Sequence, residues 1–425
     1  MRRQSLLVIS SKQLIPWESH AVVFAFAIVL IDAIGFGIVM PVLPPLLVEL
    51  TGKPLTDSAR YVGWLGFSYA GMQFLFSPML GALSDRFGRR PVLLSSLLAV
   101  AIDFALCALA TAPLWLLVGR VVAGVAGATS ATANASIADV VAPDRRAQAY
   151  GLMGAAFGVG LLIGPAAGGV LGAFGPRVPF YTAAVVAGSN LLYGLFCFRE
   201  TLPRDSRRPL SFARSNPVTA FAELYRACPQ ISFSLFAVFL FLLGGQSISV
   251  WSFYVIDRFH WSTWEVGLSF SAVGLTAILV QGWLIRLVIP RFGEDRAAIA
   301  GVLATSLSLF IYGLSPSGWV IYVGIGVSAL GDLAFPSIES LMSRQSPSNL
   351  QGALQGVLTS ISSVTTILGP LLFAQIFSRF AGSPVMNHRS GSPMILGGIL
   401  VLAAILFLRP AFRIRQTGRE ATNVV

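Results

Sequence analysis

The sequence predicts an all-α integral membrane protein with twelve transmembrane helices in two six-helix repeats. Apolar residues make up 55% of the 425 residues and charged residues only 11%, whereas charged residues reach about 25% in soluble domains. Twelve apolar segments are long enough to cross a bilayer as helices. Short motifs also recur at a constant spacing of 205 residues. Together these observations exclude a soluble globular class.

The twelve apolar segments are separated by short polar connections, except after the sixth. We predict spans at residues 18–47, 60–82, 91–112, 113–139, 148–173, 179–198, 231–256, 264–290, 296–315, 317–343, 351–379 and 392–409. A long polar stretch rich in proline and arginine follows the sixth span, so we interpret it as a linker. The predicted organisation is an N-terminal tail (1–17), a first bundle (18–198), the linker (199–230), a second bundle (231–409) and a C-terminal tail (410–425).

The division into two bundles agrees with an internal repeat. Three pairs of short motifs share the 205-residue spacing: Phe87-Gly88 with Phe292-Gly293, Gly151 with Gly356, and Gly164-Pro165 with Gly369-Pro370. One match would be unremarkable in a chain with 42 glycines, but three at one spacing indicate duplication of a six-helix unit. Parallel halves of this kind are related by an axis along the membrane normal, with a central cavity between them.

The positive charges indicate the orientation of the chain. The formal net charge is +11, but the arginines lie between apolar segments and form no basic domain with interleaved aromatics, which argues against a nucleic-acid partner. With the N-terminus inside, 22 of the 29 Lys and Arg residues fall in cytoplasmic segments and 6 in outer ones. This bias predicts that both termini are cytoplasmic. Cys107, Cys197 and Cys228 show no paired spacing, so neither a disulfide framework nor a metal site is predicted.

Charged residues within predicted spans are the strongest functional signal, because each costs about 2.5–3.5 kcal/mol on insertion scales. Asp32 lies in the first span with no cation near it in sequence, and we expect it to exchange a proton or to contact a cationic substrate group. Asp103 and Arg120 lie in the third and fourth spans, where they could share that role or pair as a packing contact. The positions 205 residues later hold Ala237, Ser308 and Ile325. The first half is therefore predicted to contain the ion-responsive residues.

Further polar residues occur at predicted cavity depth. Asp332 and Glu339 stand two helical turns apart on one face of the tenth span and could line the cavity or the gate, although Glu339 could instead be hydrated at the end of its span. Gln73, Gln246 and Gln281 are amides suited to a polar, ring-bearing ligand. Hydrogen bonding between helices is the alternative interpretation of all three.

Two glycine-rich motifs indicate moving parts. The connection GALSDRFGRRPVLL (81–94) combines glycines, an acid and arginines in a tight turn. We predict that it forms a cytoplasmic gate in which Asp85 accepts hydrogen bonds from a neighbouring helix terminus; the gate residues are Gly81, Asp85, Arg86, Gly88, Arg89 and Arg90. The segment GVGLLIGPAAGG (158–169) is predicted to form a pliant interface between helices of opposite halves through Gly160, Gly164, Pro165, Gly168 and Gly169.

No catalytic constellation is present in the sequence. His20, His260 and His388 form no metal-binding array, and no phosphate-binding loop ends in Lys-Ser or Lys-Thr, so we predict that the chain is not an enzyme. Transport would therefore draw on an ion gradient or on the gradient of the solute. A membrane sensor that does not transport is a weaker interpretation, because it would need an appended soluble domain and no segment is long enough for one.

These motifs together resemble the major facilitator superfamily. GALSDRFGRRPVLL is similar to its signature between spans two and three, GRVVAGVAGA (119–128) to its span-four motif, and GVGLLIGPAAGG to the span-five motif of antiporters. More narrowly, the stretches 32–47, 84–106, 127–139, 157–169, 198–203 and 352–373 resemble the twelve-span bacterial tetracycline/proton antiporters. The resemblance implies a multi-pass protein of the bacterial inner membrane that functions as a monomer.

The resemblance also implies roles for residues. Asp32, Asp103 and Arg120 would handle substrate and proton, and Asp85, Arg86, Arg89 and Arg90 would act as the gate. The exported species would be a drug chelated to a divalent cation such as Mg²⁺, exchanged for a proton, with no permanently bound cofactor.

The sequence departs from that family in its second half. Ala277 and Thr305 stand where the family has a histidine in span eight and an acid in span nine, and Asp332 stands where it usually has glycine. Export of another drug class, such as a phenicol or a mixture of lipophilic drugs, therefore remains an alternative. Solute import is a further one, disfavoured by the glycine-rich span-five motif.

Overall fold

The computed structural model of the chain describes residues 20–127, 129–142, 145–203, 207, 217–229, 231–347, 350–381 and 389–422. The described residues form helices joined by short turns, with no strand among them. The predicted N-terminal tail lies outside the described residues, as do parts of the predicted linker.

The first half contains eight helices and the second half nine, with one helix in the linker between them. The first half has α1 (His20–Val39), α2 (Leu43–Thr51), α3 (Leu55–Phe87), α4 (Arg89–Leu109), α5 (Pro113–Val125), α6 (Thr129–Val140), α7 (Arg146–Gly172) and α8 (Val178–Cys197). The linker helix is α9 (Pro217–Ala227). The second half has α10 (Ile231–Gly245), α11 (Trp251–Phe259), α12 (Thr263–Leu279), α13 (Ile285–Phe292), α14 (Glu294–Leu314), α15 (Gly318–Gly331), α16 (Ala334–Gln345), α17 (Gln351–Ala381) and α18 (Ser392–Thr422).

Eight helical segments of the described chain are long and apolar enough to cross a bilayer: Val22–Val39, Arg89–Leu109, Ala149–Gly172, Val178–Cys197, Ile231–Phe259, Glu294–Leu314, Gly318–Gln345 and Gln351–Ala381. Pro113–Val125, Thr263–Leu279 and Ser392–Leu408 are shorter apolar helices. The second predicted span, 60–82, lies inside α3, whose 33 residues carry charges at both ends. The last helix continues to Thr422, through much of the predicted C-terminal tail.

The prediction of one continuous first span over 18–47 is wrong. Helix α1 ends at Val39 and α2 begins at Leu43. Three prolines, Pro41, Pro44 and Pro45, lie at this boundary. Proline lacks a backbone N–H and clashes with the preceding helical turn, so the helix must restart. The seventh and eighth spans also contain irregular turns, a 3₁₀ segment at Gln246–Val250 and a π segment at Val280–Leu284.

The fourth and tenth spans, predicted as continuous over 113–139 and 317–343, are each broken in the middle. Helix α6 begins at Thr129 and α16 begins at Ala334, 205 residues later. The third and ninth spans, α4 and α14, also begin and end 205 residues apart. The structure thus repeats at the spacing of the sequence motifs, and the breaks belong to the repeated unit.

The two halves meet along two seams. Helix α3 packs against α17, and α7 packs against α12. The 205-residue shift places α7 on α17 and α3 on the α12–α13 segment, so the shift converts one seam into the other. This is the relation expected of parallel halves around a central axis.

The seams close one end of the bundle. We call the end formed by residues 84–90, 139–146, 198–202, 292–296 and 344–350 the arginine-rich end, and the end formed by 51–55, 110–113, 173–178, 259–263 and 314–318 the opposite end. Four side-chain hydrogen bonds join the halves within the described chain, all near the opposite end or at mid-depth. They are Arg60 Nε to Ser378 Oγ (2.8 Å), Ser252 Oγ to Met40 O (2.9 Å), Thr263 Oγ1 to Gly169 O (3.1 Å) and Ser271 Oγ to Leu162 O (2.6 Å).

Candidate functional site

Two of the three charges predicted within spans form an ion pair. Arg120 on α5 donates from Nε to Asp103 Oδ1 at 3.2 Å and from Nη2 to Oδ2. The Asp103 side chain, on α4, is only 2% exposed. A Cβ on Gly119 would overlap Asp103 Oδ1, so glycine is required for this approach of α5 to α4. The pair therefore ties two helices of the first half together, and each charge compensates the other.

Asp32 on α1 lies apart from this pair. The structure gives its carboxylate no hydrogen-bond or ion-pair partner within the described chain. Tyr69 on α3 is within electrostatic range of both Asp32 and Arg120, and the Arg120 guanidinium stands 5.7 Å from the centroid of the Tyr69 ring. Asp32 thus has room to gain a partner. Sequence reasoning missed Tyr69, because an aromatic residue in an apolar segment is typical of any membrane helix.

The predicted cavity amides mainly join helices. Gln73 Nε2 donates to the carbonyl of Gly127 at 3.0 Å, and so satisfies a backbone acceptor released by the break between α5 and α6. Gln246 Nε2 donates to Thr366 Oγ1 at 3.3 Å. The side chain of Gln281 lies outside the described part of the chain. The contacts of Gln73 and Gln246 agree with hydrogen bonding between helices.

The acids of the tenth span have different surroundings. Asp332 lies at the break between α15 and α16, 205 residues after Gly127, and the described residues give its side chain no hydrogen-bond or ion-pair partner. Glu339 accepts a hydrogen bond from Gln355 Nε2 of α17 at 2.8 Å on an exposed surface. Glu339 is therefore partnered near the arginine-rich end, whereas Asp332 occupies a helix break within the span.

The glycines of α7 contact a different partner from the predicted one. A Cβ on Gly164 would lie 2.7 Å from Ile34 O of α1, and those on Gly160 and Gly168 would also meet the α1 backbone. The prediction that this face contacts the opposite half is therefore wrong, because α1 belongs to the same half. Gly169 lies next along the helix and does meet the opposite half, since its Cβ would lie 2.7 Å from Thr263 O. Pro165 also contacts that half, through Gly267.

Arg89 is the centre of a charged cluster at the arginine-rich end. It donates from Nη1 to Asp85 Oδ1 at 2.6 Å and to Ser84 Oγ at 3.0 Å, and from Nε to Asp139 Oδ2 at 2.9 Å. The Arg89 side chain is only 11% exposed. Asp139 ends the fourth span, so this cluster joins the 2–3 connection to the end of that span.

The helix-terminus contact predicted for Asp85 is made by another acid. Glu200 accepts hydrogen bonds from the backbone N–H groups of Arg89 at 2.8 Å and Arg90 at 3.2 Å, at the N-terminus of α4. A carboxylate at this position is stabilised by unpaired N–H groups and by the helix dipole. Gly88 has φ +109°, and a Cβ there would overlap the Glu200 carboxylate. The structure thus places Glu200, rather than Asp85, at the helix terminus.

The remaining predicted gate residues have more local contacts. Arg90 Nη2 donates to Leu195 O at 2.6 Å, and the Arg86 guanidinium stands 5.3 Å from the Phe87 ring centroid. A Cβ on Gly81 would meet nothing within 4 Å. Sequence reasoning missed Asp139 and Glu200 as members of the cluster. The available signal was their position, since each acid lies at the arginine-rich end of a predicted span.

The second half contains a charge-reversed copy of one of these contacts. Glu294, 205 residues after Arg89, accepts from Nη2 of Arg344 at 2.7 Å, and Arg344 lies 205 residues after Asp139. Ser340 Oγ also donates to Glu294 at 2.9 Å. The contact between span start and span end is therefore repeated while its two charges are exchanged.

A surface cavity of about 460 Å³ lies at the opposite end, away from the residues predicted to line a cavity. Its lining residues are Lys53, Asp57, Arg60, Tyr61 and Trp64. The described residues contain no group of three or more His, Cys, Asp or Glu residues that could hold a metal ion.

Comparisons with known proteins agree with this architecture. Residues 25–370 match the Major Facilitator Superfamily. The chain is 40% identical to the class C tetracycline resistance protein of Escherichia coli, over 94% of this chain and 99% of that protein. It is 38% identical to the class G protein of Vibrio anguillarum, over 92% and 97% respectively.

Solved structures share the fold. The human organic anion transporter MFSD10 is 25% identical with a TM-score of 0.67, covering 93% of this chain and all of that chain. A peptide transporter crystallised with sulfate has a TM-score of 0.75 at 14% identity, covering 97% and 99%. The chain therefore belongs to the major facilitator superfamily and is a multi-pass membrane transporter rather than an enzyme.

Proposed function

We propose that this chain is a proton-coupled antiporter that exports tetracycline from the cytoplasm, carried as a chelate with a divalent cation such as Mg²⁺. The similarity to tetracycline resistance proteins, which extends over nearly the full length of both chains, carries the choice of substrate. The arrangement around Asp32 supports the coupling to protons.

The exchange step rests on Asp32. A charged carboxylate without a partner is costly within a membrane, so either a proton or a cationic group can relieve that cost. The two occupants exclude each other, because each neutralises the same carboxylate. Release of the chelate would then require proton uptake, which is the condition for antiport. Asp103 and Arg120 already compensate one another, so we assign them to positioning of this site beside Tyr69.

The orientation follows the charge bias of the sequence. We assign the arginine-rich end and both termini to the cytoplasm of a bacterial inner membrane, with the monomer as the functional unit. In this orientation the two seams close the outer end, so the described conformation faces inward. Asp85, Arg86, Arg89 and Arg90 would act at the cytoplasmic gate with Gly81 and Gly88, while Gln73, Gln246, Gln281 and Asp332 would contribute to the polar path of the substrate.

Uptake of radiolabelled tetracycline into everted membrane vesicles tests this proposal. We expect Mg²⁺-dependent uptake that is driven by an imposed proton gradient and collapses with a protonophore. Asp32→Asn should abolish the gradient-driven component. Asp57→Asn, which removes an acid at the opposite end, should retain it.

Gradient-driven uptake that persists in Asp32→Asn would overturn the coupling role of that residue. Uptake of chloramphenicol, but not of tetracycline, would replace the substrate by a phenicol. Tetracycline accumulation that follows its own gradient, with no response to the protonophore, would exclude antiport.

A further inference from the structure

The linker helix α9 has an apolar arc that the protein covers only in part. The Leu224 side chain is fully buried, and α9 packs against α17 and α10 of the second half. Phe221 and Tyr225 continue the same arc, since residues four apart are neighbours on a helix. They are 43% and 51% exposed. One edge of the arc is therefore packed and the other edge is bare.

The bare edge is an ordered aromatic pair. The rings of Phe221 and Tyr225 stack with centroids 6.3 Å apart and an interplanar angle of 16°. Glu223 and Arg226, on the far side of the helix, are exposed. The helix thus presents aromatic rings in one direction and charges in the other, which is the pattern of helices that lie in a membrane interface.

Two contacts fix α9 at the level where spans begin. Cys228 Sγ, directly after the helix, donates to the carbonyl of Gln345 at the last residue of α16. The first residue of α10, Ile231, donates its N–H to Cys228 O at 3.0 Å. Because α10 enters the bilayer at this point, α9 lies beside the membrane boundary, where tyrosine and tryptophan are enriched.

The charge around α9 matches an anionic surface. Residues 199–230 contain six arginines and three acids, which gives the linker a net charge of +3. We propose that α9 lies in the headgroup layer of the bilayer, with Phe221 and Tyr225 inserted at the acyl boundary, and that anionic lipids strengthen this contact. The linker is thereby attached at one end to the second half and to the membrane surface.

Spin-label accessibility tests this proposal on the full chain. The native cysteines are replaced by Cys107→Ala, Cys197→Ser and Cys228→Ser, and single labels are introduced through Phe221→Cys, Tyr225→Cys and Glu223→Cys. Phe196→Cys supplies a lipid-facing reference on α8, since Phe196 is 85% exposed. Each labelled protein is placed in nanodiscs of phosphatidylcholine and phosphatidylglycerol, and collisions with oxygen and with a water-soluble nickel chelate are measured.

We expect labels at 221 and 225 to match the reference, with severalfold more access to oxygen than to the nickel chelate, and the label at 223 to show the reverse. Nickel access at 221 and 225 equal to that at 223 would overturn the proposal. Dipolar broadening in singly labelled protein would overturn it in favour of a second copy. In nanodiscs of phosphatidylcholine alone we expect shallower labels at 221 and 225, and an unchanged depth would remove the role of anionic lipids.

Discussion

At the arginine-rich end, the two halves use equivalent positions with opposite charges. In the first half Arg89 is nearly buried and contacts two acids, Asp85 and Asp139, while Glu200 holds the N-terminus of the same helix. In the second half Glu294 is paired with Arg344, a side chain that is 60% exposed. The positions equivalent to Asp85 and Glu200 hold Pro290 and Ile405. Duplication has thus preserved the contact between span start and span end, whereas the extended cluster is confined to the first half.

The same asymmetry occurs within the membrane. The first half holds the buried Asp103–Arg120 pair, and the equivalent positions of the second half hold Ser308 and Ile325. The halves therefore share a scaffold but differ in where charge must be compensated. Substitutions at equivalent positions should have unequal effects, which the following predictions use.

The largest effect is expected from Arg120→Leu. Removing one partner of a buried ion pair leaves Asp103 uncompensated, which costs about 3–5 kcal/mol. We expect a strongly lowered thermal unfolding midpoint of the purified protein in detergent, together with loss of transport. Ser308→Ala is the matched control in the second half, because that hydroxyl bonds only its own helix, at Thr305 O. An unchanged midpoint in Arg120→Leu would contradict the compensating role of the pair.

The second effect concerns the approach of α7 to α1. A Cβ in Gly168→Ala would collide with the backbone of Ile38, and overpacking of this kind costs about 1–3 kcal/mol. Gly151→Ala in the same helix and Gly356→Ala in its repeat meet nothing within 4 Å, so each should be neutral or stabilising by up to about 1 kcal/mol. Equal unfolding midpoints for the three variants would show that α7 does not need close contact there.

The charge reversal between the halves can be imposed on the first half. Arg89→Glu should impair transport, because the new carboxylate faces Asp85 and Asp139. Adding Asp139→Arg recreates the arrangement of Glu294 with Arg344 and should recover part of the activity, with a coupling energy of about 0.5–3 kcal/mol in a double-mutant cycle on the unfolding midpoint. Strictly additive effects would show that the pair is not the interaction that matters.

The smallest effect is expected from Arg344→Ala. Its partner interaction is exposed to solvent, and such pairs contribute about 0.2–1 kcal/mol. We expect a small decrease in the unfolding midpoint that high salt removes, and transport close to that of the unmodified protein. A loss comparable to that of Arg89→Glu would indicate that the second half contributes equally to the gate.

The sequence predicted the repeat and the membrane charges because both depend on local composition and spacing. It did not predict the breaks in the fourth and tenth spans, since those segments are apolar throughout and hydropathy does not register a change of helix direction. The contact of Asp103 with Arg120 remained one of two alternatives. Glu200 and Tyr69 were missed for a further reason: their partners lie on other helices, and the distance between helices is fixed only by packing of the whole bundle.

The seams between the halves have a consequence for the energy of opening. Three of their four hydrogen bonds run from a serine or threonine hydroxyl to a backbone carbonyl, as Ser271 does to Leu162. Each hydroxyl can rotate back to a carbonyl of its own helix one turn earlier, and the carbonyl it leaves belongs to the regular ladder of another helix. Separation of the halves therefore leaves few polar groups without partners. The closed end can open without a large enthalpic barrier, as a reversible switch requires.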